Sequence, residues 1–175
     1  KGTKNVTENA KRLGAKLIYL STDYVFDGEG ETPFKPYDKR NPINIYGLTK
    51  YEGELEAEKY EKSFIVRISW VFGVNGKNFV KTVLNLAKTH NVLNFVNDQI
   101  GTPTYTYDLA NLLCDMVESE KYGVYHVTNE GGYISWYDFV VEILNQTGIK
   151  GKTVNPVTSD AFVTPAKRPH NSRLD

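Results

Sequence analysis

The sequence predicts an α/β fold with a largely parallel sheet, and three observations predict it. Short apolar runs alternate along the chain with longer stretches of helical period, the order that builds successive β-α units. The runs are continuous rather than alternating in polarity, as strands buried on both faces require. Finally, 40% hydrophobic residues against 24% charged in 175 positions is the composition of a globular chain, long enough for one ordinary domain or a large part of a two-lobed one.

The elements follow in order. Residues 3–13 carry helical spacing and stop at Gly14, a residue suited to a left-handed helix terminus. AKLIYLST, residues 15–22, reads as a buried parallel strand. Residues 27–45 hold Gly28, Gly30, Pro33, Pro36 and Pro42 and read as a long loop, of a length often reserved for function. A charged helix is expected over 46–61, with Glu52, Glu54, Glu56 and Glu58 on its solvated side. SFIVRIS at 63–69 is a second buried strand. A helix over 78–88 shows apolar residues at 79, 80, 83, 84, 86 and 87. Strand 92–96, helix 106–118 and strand 124–128 follow. Residues 135–147 form a helix with a serine N-cap and Gly148 as its stop. The tail over 151–175, with Pro156, Pro165 and Pro169, reads as a strand and then extended loop. No internal repeat or clean linker interrupts the series. A helix that opens the chain and feeds a buried strand implies further strands ahead of it, so residue 1 is expected not to be the start of the natural domain.

Charge and cysteine usage narrow the function. With 21 basic and 21 acidic side chains, the chain lacks the basic excess of a nucleic-acid-binding domain. A single cysteine, Cys114, rules out an internal disulfide framework and fits a reducing compartment, so a cytoplasmic protein is expected. Cys114 lies on the apolar stripe of its helix and is expected in the core. No apolar run reaches the roughly 18 residues of a membrane span. His90, His126 and His170 lack the spacing of zinc ligands, and neither a Gly-x-Ser-x-Gly elbow nor a Walker A sequence is present.

Chemistry concentrates around Tyr46-Gly47-Leu48-Thr49-Lys50. The spacing puts phenol and ammonium on one helical face, where a cation and a helix N-terminus both favour the phenolate. Such a tyrosine exchanges a proton with a substrate alcohol or ketone. Alone the spacing is weak, because a chain with 12 tyrosines holds about one such pair by chance. Ser21 and Thr22, at the end of the IYLST strand, strengthen it: ligands of open α/β sheets bind outside the carboxyl ends of strands.

The blocks STDYVFDG, NPINIYGLTKYEGE, VRISWVFG, KNFVKTVLNLAK, VNDQIGTPTYTYDLA and TPAKRPHNSRLD, in this order along the whole chain, resemble the extended short-chain dehydrogenase/reductase superfamily and, within it, the dTDP-4-dehydrorhamnose reductases. That resemblance implies a Rossmann-like parallel sheet flanked by helices, of which only the later strands are present. It also implies a smaller substrate-binding lobe interleaved from segments near 70–105 and 129–175. The implied activity is reduction of the 4-keto group of dTDP-4-dehydro-L-rhamnose with NADPH or NADH. By the same resemblance Thr22 would hydrogen-bond the sugar C4 oxygen and Tyr46 would protonate it. Lys50 would hold the nicotinamide ribose and depress the tyrosine pKa. Tyr24 would contact the substrate while Asp23 is left open, and Trp70 would wall the sugar pocket.

Asn78 opens a helix able to receive a diphosphate, Gln99 and Thr104 would line the nucleotide-sugar groove, and Arg168 would bind phosphate. Magnesium is associated with some members of the family, although no ligands for it stand out, and a homodimer is a further expectation. The glycine-rich dinucleotide turn is missing: Gly28-Glu29-Gly30 lacks the third glycine and the strand–turn–helix setting. The chain alone is therefore expected to bind no dinucleotide tightly and to have little activity. Two alternatives stay open, a non-catalytic relative like the regulatory subunit of methionine adenosyltransferase and a reductase of another nucleotide deoxysugar.

Overall fold

The computed structural model describes residues 1–162 and 164–175. In chain order the elements are α1 (Gly2–Leu13), β1 (Leu17–Thr22), α2 (Ile45–Ala57), β2 (Ser63–Ile68), β3 (Val71–Phe72), α3 (Phe79–Thr89), β4 (Val92–Val96), β5 (Ile100–Gly101), β6 (Thr104–Tyr105), α4 (Thr106–Glu118), β7 (Gly123–His126), β8 (Ile134–Ser135), α5 (Trp136–Gln146), β9 (Thr153–Val157) and β10 (Asn171–Ser172). The predicted α/β class holds, and the main sheet is parallel in the order β1-β2-β7.

Strand β2 shows why this sheet is the centre of the first layer. Its side chains alternate between two apolar faces, and the run SFIVR is buried throughout. Phe64 and Val66 pack with Leu109 and Met116 of α4 on one face. Ile65 packs with Leu17, Ala57 and Tyr60 on the other, beneath α1 and α2. A separate core forms where α3 and α5 close over the parallel pair β4-β9, from Val83, Ala87, Leu93, Phe139, Val140, Ile143 and Leu144. Pro156 is tolerated within β9 because that strand pairs on one side alone among the described residues.

The helix ends obey the local chemistry. The Asn44 side chain accepts a hydrogen bond from the Gly47 N–H at 2.8 Å, starting α2, and Asn78 accepts from Lys81 N–H at 3.1 Å, starting α3. Ser135 and Asp138 form a reciprocal capping box on α5. Gly14, at φ 66°, closes α1. Helix α2 stops at Ala57, earlier than residue 61, and a short turn delivers the chain to β2.

Two expectations about burial are corrected. Glu54 is not solvated: it is fully buried against Arg67 of β2, because successive even positions on a helix point in different directions and this one meets the sheet. Cys114 is exposed, since α4 presents Leu109 and Met116 to the sheet and turns residue 114 away.

The tail does more than trail off. Ser172 and Asn171 pair with β5, Leu174 bridges to Phe34, and the Asn171 amide donates to Glu29 and Thr32 carbonyls. Gly28, at φ 71°, lies so close to Pro169 that a Cβ there would collide with the proline ring. The long loop over 27–45 is thus sewn to the C-terminal segment.

Candidate active site

Thr22, Tyr24, Tyr46, Lys50 and Trp70 line one cleft of about 390 Å³ at the carboxyl ends of β1 and β2, together with Ser69, Phe79 and Trp136. Its shape begins with Gly47. A Cβ at this position would run into the Tyr24 carbonyl, so glycine lets the first turn of α2 sit directly against the segment that follows β1. The Tyr24 and Tyr46 rings consequently meet edge to face, with centroids 5.5 Å apart. Tyr46 is half exposed, its ring open to the cleft.

Lys50 lies one turn later. Its ammonium donates to the Leu20 carbonyl at 2.7 Å and sits 5.0 Å from the centre of the Tyr19 ring. Burial pushes its pKa down, and the Glu54 carboxylate pulls the other way. Thr22 is buried; its hydroxyl accepts from the Tyr24 N–H and donates to Asp23 Oδ1 at 2.9 Å. Burial raises the Asp23 carboxyl to about 6, with Ser172 and Thr22 pulling it back. Asp23 Oδ2 and Ser21 Oγ, both buried beside the cleft, have no hydrogen-bond partner of good geometry. The Tyr24 hydroxyl is raised by burial and by the Asp23 charge, against the opposing pull of Arg168.

Trp70 stacks on Trp136, centroids 3.7 Å apart, and adopts φ 48°, a left-handed conformation unusual for so bulky a residue. Gly101 makes room for the edge of the Trp70 indole. The strain at 70 is held by its neighbours: the Trp70 carbonyl accepts from Thr104 N–H, and the Ser69 carbonyl accepts from the Thr104 hydroxyl at 2.6 Å.

Gln99 and Arg168 line a second, larger cleft of about 890 Å³, which shares Phe79 and Trp136 with the first. Gln99 donates to the Ser159 hydroxyl at 2.9 Å. The tail reaches the first cleft because the Asn44 amide donates to the Lys167 carbonyl, setting Arg168 near Tyr24. Asn78 and Thr104 line neither cleft. Both are occupied in holding the fold: Asn78 caps α3 and donates to the Gly73 carbonyl, and Thr104 braces Ser69. The sequence reading passed over Ser69, Trp136 and Ser172. Trp136 had a usable signal, being one of only two tryptophans and directly following a helix cap.

Among the described residues no group of three or more His, Cys, Asp or Glu side chains is placed to hold a metal ion, so nothing supports magnesium here. None of the described helices is long and apolar enough to cross a membrane.

The chain is similar to known proteins along its whole length. The chain matches, over residues 1–175, the family described as RmlD substrate binding domain. A dTDP-4-dehydrorhamnose reductase of Aggregatibacter actinomycetemcomitans is 42% identical over 187 residues, an alignment spanning all of this chain and 63% of that protein. Among solved structures, a dTDP-4-dehydrorhamnose reductase ortholog from Clostridium acetobutylicum aligns at TM-score 0.95 and 47% identity, covering 99% of this chain and 61% of that one. The Bacillus anthracis dTDP-4-dehydrorhamnose reductase in complex with NADP aligns at TM-score 0.95 and 40% identity, covering 99% and 62%. The chain therefore spans less than two thirds of the length of these relatives.

Proposed function

The chain belongs to the RmlD substrate binding domain family, and from that premise we infer that the protein carrying it reduces the 4-keto group of dTDP-4-dehydro-L-rhamnose to dTDP-L-rhamnose. The observation that carries this reading is the convergence of Thr22, Tyr46 and Lys50 on one cleft at the strand ends. When bound, NADPH or NADH would supply the hydride that reaches the sugar C4.

The protein's own residues handle the oxygen. Tyr46, with its phenol open to the cleft, would deliver a proton to the C4 oxygen as that atom gains charge. Thr22 would turn its hydroxyl from Asp23 to the same oxygen, adding a second hydrogen bond where charge develops. Lys50, held on the Leu20 carbonyl, would keep a positive charge beside the phenol and the nicotinamide ribose. Tyr24 and the Trp70–Trp136 stack would wall the sugar, and Gln99 and Arg168 would receive the nucleotide portion in the adjoining cleft.

The residues present fit the nicotinamide end of a dinucleotide: an open phenol, an ammonium and the Thr22 hydroxyl surround one cleft. They do not fit its diphosphate, for which the chain has no glycine-rich turn. The 175-residue chain alone would accordingly show little turnover. Segments near 70–105 and 129–175 would form the substrate lobe, built on the core beneath α3 and α5. Retention of the three polar side chains in one cleft favours an enzyme over a regulatory relative.

The test uses the protein that joins this chain to the further length its relatives possess, following NADPH oxidation with dTDP-4-dehydrorhamnose. Turnover is expected, with Tyr46→Phe lowering kcat by about a hundredfold or more and sparing nucleotide-sugar binding. Wild-type protein that binds the sugar nucleotide without turning it over would sink the assignment, and an unchanged rate in Tyr46→Phe would remove Tyr46 from the proton-donor role.

A further inference from the structure

Behind the cleft, α2 carries a second group of charges that the proposed chemistry does not use. Glu54 is fully buried, and its carboxylate accepts from Arg67 Nε at 2.8 Å, from Arg67 Nη2 at 2.7 Å and from Arg40 Nη1 at 2.9 Å. Arg67 Nη1 meets the Pro36 carbonyl at 2.7 Å and the His126 ring at 3.2 Å. Arg40 also pairs with Glu58. Two acids and two bases thus form a neutral cluster joining α2, β2 and the long loop.

Glu54 is four residues after Lys50, on the same helical face. Between them and the sheet lies Tyr19 of β1. Its hydroxyl donates to the Lys50 carbonyl at 3.1 Å, its ring faces the Lys50 ammonium, and Gly53 gives it room that any Cβ would fill. The stretch of α2 behind the cleft is therefore clamped at two consecutive turns, by Tyr19 at Lys50 and by Arg67 at Glu54.

We propose that Glu54 is a positioning residue of the reductase site, whose carboxylate, gripped by Arg67 and Arg40, sets the height of α2 on the sheet and holds Lys50 against the Leu20 carbonyl. The proposal rests on the reductase reading for its consequence in catalysis, though its structural part stands without it. The groups facing Lys50 are few. From β1 they are the Tyr19 ring and the Leu20 carbonyl, from its own helix Tyr46 and Glu54, and across the cleft Thr22 and Asp23. Behind Glu54 stand Arg67 of β2, Arg40 of the loop and His126 of β7. The Glu54 carboxylate favours the ammonium, against the burial that disfavours it.

The charge balance makes two predictions of opposite sign. Glu54→Gln leaves Arg67 and Arg40 with only Glu58 to match them, which pushes the Lys50 titration to lower pH. Arg40→Gln frees Glu54 of one cation and pushes the Lys50 titration to higher pH. The experiment is an NMR titration of the Lys50 side chain in the longer protein, without substrate, for wild type and both variants, with shifts of roughly half a pH unit each way expected. Kinetics on the same proteins should show Glu54→Gln lowering kcat with KM for the nucleotide sugar unchanged.

Arg40 is partly exposed, so Arg40→Gln keeps the fold and carries the test where Glu54→Gln does not. An unmoved Lys50 midpoint in every variant that folds, or an unchanged kcat in a folded Glu54→Gln protein, overturns the proposal; opposite shifts together with a lower kcat at unchanged KM support it, because an ion pair that merely stabilises the fold would leave kcat alone. Because this titration needs no turnover, a wild-type protein inactive on the ketosugar would count against the reductase reading alone.

Discussion

Two buried carboxylates, Asp23 at the floor of the cleft and Glu54 at the seam between α2 and the sheet, are 3% and 0% exposed, yet burial has opposite outcomes for them. Asp23 is raised to about 6, because burial is opposed only by the hydroxyls of Ser172 and Thr22 and by two backbone N–H groups. Glu54, also taken out of water, still falls below its ordinary value, because Arg67 binds it bidentately and Arg40 adds a third bond. Depth alone decides nothing; the supply of cations does. The seam pairs each of its charges and holds the helix, with His126 Nδ1 behind it left without a partner, whereas the cleft keeps an unsatisfied oxygen on Asp23 and an open phenol at Tyr46. Unfinished polar groups beside a cavity are what a ligand completes.

Breaking the seam should have the largest effect. Arg67→Met removes the bidentate partner and leaves Glu54 buried with Arg40 alone. A loss of about 3–5 kcal/mol is expected, since stripping one partner strands a desolvated charge. Urea unfolding of the longer protein, compared with wild type, measures it. A cost under 1 kcal/mol would mean that water reaches Glu54 and that the seam is not closed. A smaller effect is expected where seam and cleft meet. Gly47→Ala drives a Cβ into the Tyr24 carbonyl, and because that atom is backbone the first turn of α2 must move. Roughly 1–3 kcal/mol of stability should be lost, together with turnover, as Tyr46 leaves its place opposite Tyr24. Wild-type turnover in that variant would show the close approach to be dispensable.

The contrast also explains what the sequence could and could not tell. Long elements were legible because each repeats its own evidence: β2 is apolar at four of its six positions, and α3 and α5 announce themselves by Asn78 and Ser135 caps ahead of an apolar stripe. The side chains of the cleft were legible too, as Thr22, Tyr46 and Lys50 sit at strand end and helix start. Glu54 was misread because a run of alternating glutamates looks solvated by composition, although at 100° per residue Glu52 and Glu54 cannot share a face. The signal that would have found it was Arg67, a charge within an otherwise apolar strand, which demands a buried acid. The two-residue strands β3, β5, β6, β8 and β10 were invisible, since their pairing is fixed by distant partners and two residues carry no period. The positive φ of Trp70 has the same origin: it is imposed by Thr104, Gly101 and Trp136, none of them local.

A last prediction uses pH to separate the two regions with the smallest perturbation. His126, behind the seam, is lowered from 6.5 to about 4 by burial and by the neighbouring Arg67. Unfolded chains therefore take up its proton first as pH falls, so its contribution to stability is complete above 6.5 and is lost progressively down to about 4. Asp23 runs the other way. Its carboxyl is raised from 3.8 to about 6, so the folded protein holds the proton more tightly, and stability declines as pH rises from 3.8 to about 6. Across pH 4–6 the two slopes oppose each other, and the wild-type unfolding midpoint should change little. Asp23→Asn removes the descending slope and should expose a stability that climbs with pH between about 4 and 6.5. His126→Gln should leave the opposite profile, falling over the same window. Glu54, already lowered, adds its own loss only below its ordinary 4.5, outside most of that range. Urea midpoints of the three proteins at pH 4, 5, 6 and 7 distinguish these outcomes. Parallel profiles in all three would mean that the cleft and the seam share one electrostatic environment, and the contrast between Asp23 and Glu54 would then need another cause than the placement of Arg67 and Arg40.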